Sequence, residues 1–279
     1  MGMNSIALTT GMRQNLFNLQ KTDSLMQRTA SRLASGKKVQ SALDDPINFF
    51  AATGHNQRAV DLAQRKDQMG EAIQTIKAAN TGIEAITDLI ASAKSLANSA
   101  SAIDACATAS SQNATDRSAL ADQFDEVMNQ IDTLAADSGY KGINLLTAGS
   151  IKVEYDESGD SSSTITGFSA TASGLSISDS ASAWVAQANV TAAIADLDTA
   201  RDTLRTKTQT LTTSLSTITT REEFTTQLIN TLEDGASNLT NADMNEESAN
   251  MLMLQTRQAL GTTSLSMASQ AAQSVLRLF

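Results

Sequence analysis

Residues 62–102 read LAQRKDQMGEAIQTIKAANTGIEAITDLIASAKSLANSASA, and apolar side chains recur every seven residues along this stretch. The main row is Leu62, Met69, Ile76, Ile83, Ile90 and Ala97, and a companion row three residues later is Ala72, Ala79, Ile86, Ala93 and Ala100. Sustained heptads predict an α-helix with a narrow apolar stripe that packs side by side against another helix. A helix of about 58 residues rises roughly 87 Å, so it needs a partner of similar length.

A matching row in the C-terminal half supplies that partner. Its members are Val190, Leu197, Leu204, Leu211, Ile218 and Leu232, with Ile194, Leu215 and Ile229 beside them and an interruption at Thr225. We assign the inter-helix seam of this rod to Leu62, Met69, Ile76, Ile83, Ile90, Leu197, Leu204, Leu211 and Ile218. Shorter apolar rows near both chain ends predict two further helices.

Helix boundaries follow from capping signals. Glycine suits the position after a helix and bases suit its carbonyl end, so SGKK at 35–38 ends the first helix. The second begins at DDP, 44–46, and the last at DMNE, 243–246, which has the spacing of a capping box. A third helix is predicted over 113–136. The predicted cap residues are Asp44, Asp45, Pro46, Asp243 and Glu246.

One stretch, 140–183, has β-like character, because Ile151, Val153 and Tyr155 alternate with polar residues. Residues 158–182 contain 16 Ser, Thr or Gly among 25, which predicts a small, turn-rich, solvent-facing cap without a second core. The predicted fold is mainly α: a long antiparallel helical bundle with both termini at one end and this β-rich cap at the other. Its parts are an inner terminal-helix domain (1–43 and 243–279), a helical rod domain (44–150 and 184–242) and the tip (151–183).

The composition argues against an enzyme. The chain has one His and one Cys, so it lacks the usual ligand set of a zinc site, and His55 lies near no nucleophile pattern. No basic stripe interleaved with aromatics indicates nucleic-acid binding, and no apolar stretch approaches the length of a membrane span. We therefore expect no catalytic residue, metal or cofactor, and neither nucleic acid nor membrane as a partner.

Charge and apolar patterning instead favour a self-assembling structural subunit. Residues 1–43 carry six bases and one acid, while residues 233–247 carry five acids and no base. This asymmetry suits two chain ends that meet each other or a neighbouring copy. Narrow apolar stripes bury too little surface to offset the entropy that an isolated helix loses when it forms. We therefore expect the terminal segments to order on assembly. The predicted self-assembly residues are Leu8, Met12, Leu16, Leu19, Met26, Leu33, Met251, Leu254, Leu265, Ala268, Val275, Leu278 and Phe279.

Two motifs at opposite ends resemble those of one protein family. RLASGKKV at 32–39, followed by SALDDP at 41–46, resembles the N-terminal signature of bacterial flagellins. NSI at 4–6 and KGINLL at 141–146 match further flagellin positions, and the tail from 242 to 279 resembles the flagellin C-terminus. The resemblance covers roughly 1–150 and 185–279.

This resemblance implies a subunit that polymerises into the extracellular filament of the bacterial flagellum and serves swimming motility. It also implies export through the flagellar type III apparatus with an export chaperone and without a cleaved signal peptide. Hook-associated and cap proteins are the implied partners besides further copies of the chain. The short central segment makes this similar to a minimal flagellin with two inner helical domains and a small β-rich tip.

Two other interpretations stay open at the level of sequence. A hook–filament junction protein shares the terminal helices, and a soluble signalling coiled coil shares the heptads but leaves the DDP and tail motifs unexplained. The Ser/Thr-rich tip is either a soluble surface or a carrier of O-linked sugars, as in many flagellins. Its candidate acceptors are Ser161, Ser162, Ser163, Thr164 and Thr166.

Deleting residues 265–279 tests the assembly hypothesis. The truncated chain should keep its central helices folded, because their heptad rows are intact, but it should form no filaments. Circular dichroism and negative-stain microscopy measure the two properties on one sample. Filaments formed by the truncated chain would contradict the hypothesis.

Overall fold

The computed structural model of the protein describes residues 10–103, 111–180 and 184–276. In this part of the chain the helices are α1 (Thr10–Ser35), α2 (Pro46–Ala102), α3 (Ser111–Asp137), α4 (Gln187–Thr240) and α5 (Met244–Leu276). Two short strands, β1 (Ser150–Glu154) and β2 (Ser162–Thr166), lie between α3 and α4. The prediction of a mainly α fold with a small β part is confirmed.

Contacts divide the described chain into two compact units. The terminal unit contains the residues up to Gln57 together with those from Thr231 onward, and the central unit is Arg58–Asn230. Both divisions fall inside a long helix, one in α2 and one in α4. The domain limits at 43/44 and 242/243 were drawn from motifs instead of contacts, and they stay predictions.

The heptad rows form the core of the central unit. All nine residues assigned to the rod seam are buried, and so are the alanines of the companion row in α2. Thr225, which interrupts the row in α4, is itself only 2% exposed, so the row continues through it. Residues of α2, α3 and α4 join one apolar cluster, which the seven-residue spacing predicts.

The β tip packs onto this cluster and is less exposed than the sequence predicted. β1 and β2 pair antiparallel, with Ile151 opposite Ile165 and Val153 opposite Ser163. Val153 and Ile165 are buried in the cluster, as are Leu175, Ile177 and Trp184 further along. β1 is half-buried, as its alternation predicts, whereas Leu175 and Ile177 in the predicted solvent-facing stretch 158–182 are buried. The assignment of 151–183 as a surface tip stays a prediction. β2 was not predicted, because Ile165 is its one apolar residue among Ser and Thr.

A polar turn closes α3 and brings two leucines into the core. The Asn144 side-chain amide donates to the carbonyls of Ala135 and Ala136 at 2.7 and 2.9 Å, so it satisfies the free C-terminal end of α3. The Asn144 side-chain oxygen accepts from the Leu146 amide at 2.8 Å. Leu145 and Leu146 are consequently held inside the cluster.

Gly82 and Gly70 of α2 make a matched pair for testing this packing. A Cβ at Gly82 would lie 2.4 Å from Ser138 Oγ and 2.7 Å from Leu146 Cδ1, whereas nothing lies within 4 Å of one at Gly70. Gly82→Ala should lower the free energy of unfolding by about 1–3 kcal/mol through overpacking. Gly70→Ala should raise it by up to about 1 kcal/mol through helix propensity. Urea denaturation measures both, and equal effects would contradict the close approach at Gly82.

Candidate self-assembly surface

The terminal unit is built on the pairing of α1 with α5. Gly261 of α5 marks their close approach, because a Cβ there would lie 2.6 Å from Leu19 Cδ2 of α1. Met12 of α1 and Leu254 of α5 are buried, at 6% and 5% exposure. The two chain ends therefore pack against each other within one subunit.

A short backbone junction joins the segments that follow α1 and α4. The amides of Lys38 and Val39 donate to the Thr240 carbonyl at 2.7 and 3.2 Å, and the Ala242 amide donates to the Gly36 carbonyl at 2.9 Å. Gly36 has a φ of +70°, a conformation that glycine adopts without strain. We call residues 36–39 and 240–242 the junction; it fixes where α1 ends relative to the start of α5.

One ion pair ties the basic N-terminal helix to the acidic start of α5. Arg32 Nη1 lies 2.9 Å from Glu247 Oε1, and the side chains are 27% and 10% exposed. The prediction that the basic and acidic segments meet is confirmed at this contact. Because Glu247 is largely desolvated, its charge depends on Arg32 for compensation.

The predicted cap residues have different roles in the structure. Asp45 Oδ1 accepts from the Asn48 amide at 3.1 Å and so caps α2. Asp243 Oδ1 accepts from the amides of Asn245 and Glu246 at 2.8 and 3.3 Å and so caps α5.

Asp44 is not a helix cap, in contrast to the prediction. Its Oδ2 accepts from the amides of Gln40 and Ser41, both at 3.2 Å, and stabilises the turn before α2. These amide hydrogen bonds lower the pKa of Asp44. The carboxylate therefore stabilises the turn above its unfolded pKa, and that contribution is lost as the pH falls through the folded pKa.

The terminal unit buries little and exposes much apolar surface. The buried apolar cluster around the seam lies wholly in the central unit. Ten of the thirteen large apolar side chains that are exposed among the described residues belong to the terminal unit. A contiguous exposed apolar surface is typical of an interaction site. These ten residues are Leu16, Phe17, Leu43, Ile47, Phe50, Met244, Leu252, Met253, Leu260 and Met267.

The residues assigned to self-assembly from the sequence divide into four groups. Met12 and Leu254 are already buried inside the subunit, so they are not available to a neighbour; Leu16 is exposed. The half-buried members are Leu19, Met26, Leu33, Met251, Leu265 and Ala268. Leu8, Leu278 and Phe279 lie outside the described residues, as does the side chain of Val275.

Sequence reasoning missed the exposed residues that lie off the heptad rows. Met251, Leu252, Met253 and Leu254 are consecutive, and four consecutive helical residues point to several sides of a helix. A single row therefore cannot account for them. This run was the available signal that α5 has a second apolar face.

Comparison with known proteins agrees with the motifs at both ends. Residues 6–150 match the bacterial flagellin N-terminal helical region, and residues 187–279 match the bacterial flagellin C-terminal helical region. The chain belongs to the bacterial flagellin family. It is 30% identical to flagellin FljK and 31% to flagellin FljM of Caulobacter vibrioides, each over 279 residues and 100% of both chains. The crystal structure of Bacillus cereus flagellin is 16% identical, with a TM-score of 0.46 over 57% of this chain and 88% of that one.

Membrane-spanning helices and metal-binding clusters are absent from the described part of this flagellin. No helix there is long and apolar enough to cross a membrane. Over the same residues, no three His, Cys, Asp or Glu side chains come close enough together to hold a metal ion.

Replacing Arg32 tests the ion pair that ties α1 to α5. Arg32→Met leaves the Glu247 carboxylate without its partner and should destabilise the helix pair by about 1–3 kcal/mol. Arg28→Met is the matched control, because Arg28 is exposed one turn earlier. Hydrogen exchange of the α1 and α5 amides measures the effect. Equal protection in the two variants would contradict a structural role for the pair.

Proposed function

We propose that this flagellin is a structural subunit that polymerises into the bacterial flagellar filament through the apolar surface of its terminal unit. The observation that supports the proposal is the concentration of exposed large apolar side chains on α1, α5 and the start of α2. Burying one such side chain contributes about 1.5–3 kcal/mol. Several buried together in each contact give a strong drive to associate.

The arrangement of these residues favours an open polymer. Apolar residues lie on several faces of one helix pair, so one partner cannot cover all of them. An interface between unlike surfaces repeats from copy to copy and does not close unless the rotation happens to close it. Repetition with a fixed rise and rotation generates a helical filament.

The proposed assembly residues combine sequence and structure. Leu19, Met26 and Leu33 are half-buried, and Leu19 lies beside Gly261 of α5. Leu8, Val275, Leu278 and Phe279 are retained from the sequence alone. The off-row residues that the structure adds are Phe17, Leu252, Met253, Leu260 and Met267.

The neighbouring interpretations are less well supported. The matches to both flagellin helical regions and to full-length flagellins do not favour a hook–filament junction protein or a signalling coiled coil. The family supports a structural role, and we propose that the chain is not an enzyme. We further propose that the chain is exported by the flagellar type III apparatus with a chaperone and meets hook-associated and cap proteins in an extracellular filament.

The outer face of the β hairpin carries the proposed acceptors of O-linked sugar. Ser162, Thr164 and Thr166 are exposed, whereas Ser161 and Ser163 are half-buried. Alternation along a strand puts the three exposed hydroxyls on one face and Ile165 on the other. We propose the exposed three as the acceptors. Intact-mass measurement of the native protein detects the added mass of attached sugars.

Changing exposed residues of α5 separates assembly from folding. Leu252 and Leu260 are each 66% exposed in the subunit. Leu252→Ser/Leu260→Ser should leave the free energy of unfolding within about 1 kcal/mol of wild type. The critical concentration for polymerisation should rise tenfold or more, since about 1.4 kcal/mol of lost contact is a factor of ten.

Leu254→Ala is the matched control for this test. Leu254 is buried, at 5% exposure, so its truncation should cost about 2–5 kcal/mol of stability. Urea denaturation and sedimentation of polymers measure the two properties. Normal polymerisation of the Ser variant would contradict the proposed surface.

A further inference from the structure

The terminal unit has opposite charge at its two ends. The helix-pair body, which we define as residues 10–35 and 251–276, has five bases (Arg13, Lys21, Arg28, Arg32 and Arg257) and one acid, Asp23. The corner, which we define as residues 36–57 and 231–250, has two bases and seven acids. Its bases are Lys37 and Lys38, and its acids are Asp44, Asp45, Glu233, Asp234, Asp243, Glu246 and Glu247.

Little of this charge is neutralised inside the subunit. Among the described residues of the terminal unit, Arg32–Glu247 is the one ion pair within 4.0 Å. The basic side chains Arg13, Lys21 and Arg28 of the body are exposed. Glu233, Asp234 and Glu246 of the corner are exposed as well. Both ends therefore present charge that has no compensating contact in one copy.

Distance prevents the far end of α1 from using its own corner. The corner begins where α1 ends, at Ser35, and Arg13 lies 22 residues earlier in the helix. That spacing corresponds to roughly 33 Å along the axis. Exposed charges are largely screened beyond about 10 Å in 0.1 M salt. The acidic side chains of its own corner therefore do not compensate the charge of Arg13.

Both charged surfaces also carry exposed apolar side chains. On the corner, Leu43, Ile47 and Phe50 are 96%, 80% and 65% exposed. On the body, Phe17 and Leu260 are 62% and 66% exposed. Each surface therefore offers apolar area to bury and a charge of one sign to select its partner.

We propose that the acidic corner of one subunit binds the basic helix-pair body of the next. This inference rests on the proposed polymerisation and names the contact that carries it. The two surfaces differ, so the contact is head-to-tail and propagates along the polymer. Opposite charge steers the surfaces together and rejects body–body and corner–corner encounters. Burial of Leu43, Ile47 and Phe50 then holds the contact.

Two charge-reversal variants test the contact between molecules. Glu233→Lys/Asp234→Lys/Glu246→Lys changes the net charge of the corner from −5 to +1, and Arg13→Glu/Lys21→Glu/Arg28→Glu changes that of the body from +4 to −2. Each variant alone should polymerise at least tenfold more slowly than wild type in low salt, since steering contributes about 10–1000-fold to association. An equal mixture should recover, because each surface of one variant then faces an opposite surface of the other.

The controls separate this inference from the proposed function. Asp116→Lys/Asp122→Lys/Glu126→Lys changes the charge equally at exposed positions of α3 and should polymerise like wild type. Circular dichroism confirms that each variant is folded. If wild type itself forms no polymer, the proposed function fails. If wild type polymerises but either variant does so at its rate, or the mixture does not recover, the corner–body contact is overturned.

Discussion

The apolar stripe of α2 is the constraint on which the rest of the structure depends. A helix of 57 residues with a narrow heptad row cannot be stable alone, and the rows of α3 and α4 cover it. Alanines in the companion row and Gly82 let other elements approach closely. The need to cover the apolar stripe of α2 calls for a partner helix of similar length, and α4 has 54 residues. The hairpin and Trp184 pack onto the same cluster. There the ring centroids of Trp184 and Phe124 lie 4.9 Å apart.

Apolar residues are divided unequally between the two units, and this separates folding from assembly. The central unit buries its heptad rows in one apolar cluster. The terminal unit has α1 and α5 paired along one seam, with large side chains left over on other faces. Two paired helices are too thin to hide apolar residues on every side. The proposed interface with other copies uses this surplus.

The regular parts of the fold were predictable because periodicity is a local property of the chain. The rows from Leu62 to Ile218, the start of α2 at Pro46 and the start of α5 at Met244 all follow from spacing and capping signals. β2 was missed because its burial depends on which face the hairpin turns to the bundle. Asp44 was misassigned because its partners, Gln40 and Ser41, lie before it in a turn. The sequence signals neither the face that the hairpin turns inward nor the local turn that Asp44 closes.

The candidate site was predictable in location but only partly in its residues. Heptad spacing identifies side chains that face a helix partner, and within one subunit that partner is the other terminal helix. Met12 and Leu254 are therefore buried within the subunit. The proposed contacts with neighbours use residues off the row. Met253 and Met267 are exposed examples. Methionine adapts to irregular gaps, so these positions suit an interface in which each copy meets several neighbours in slightly different settings.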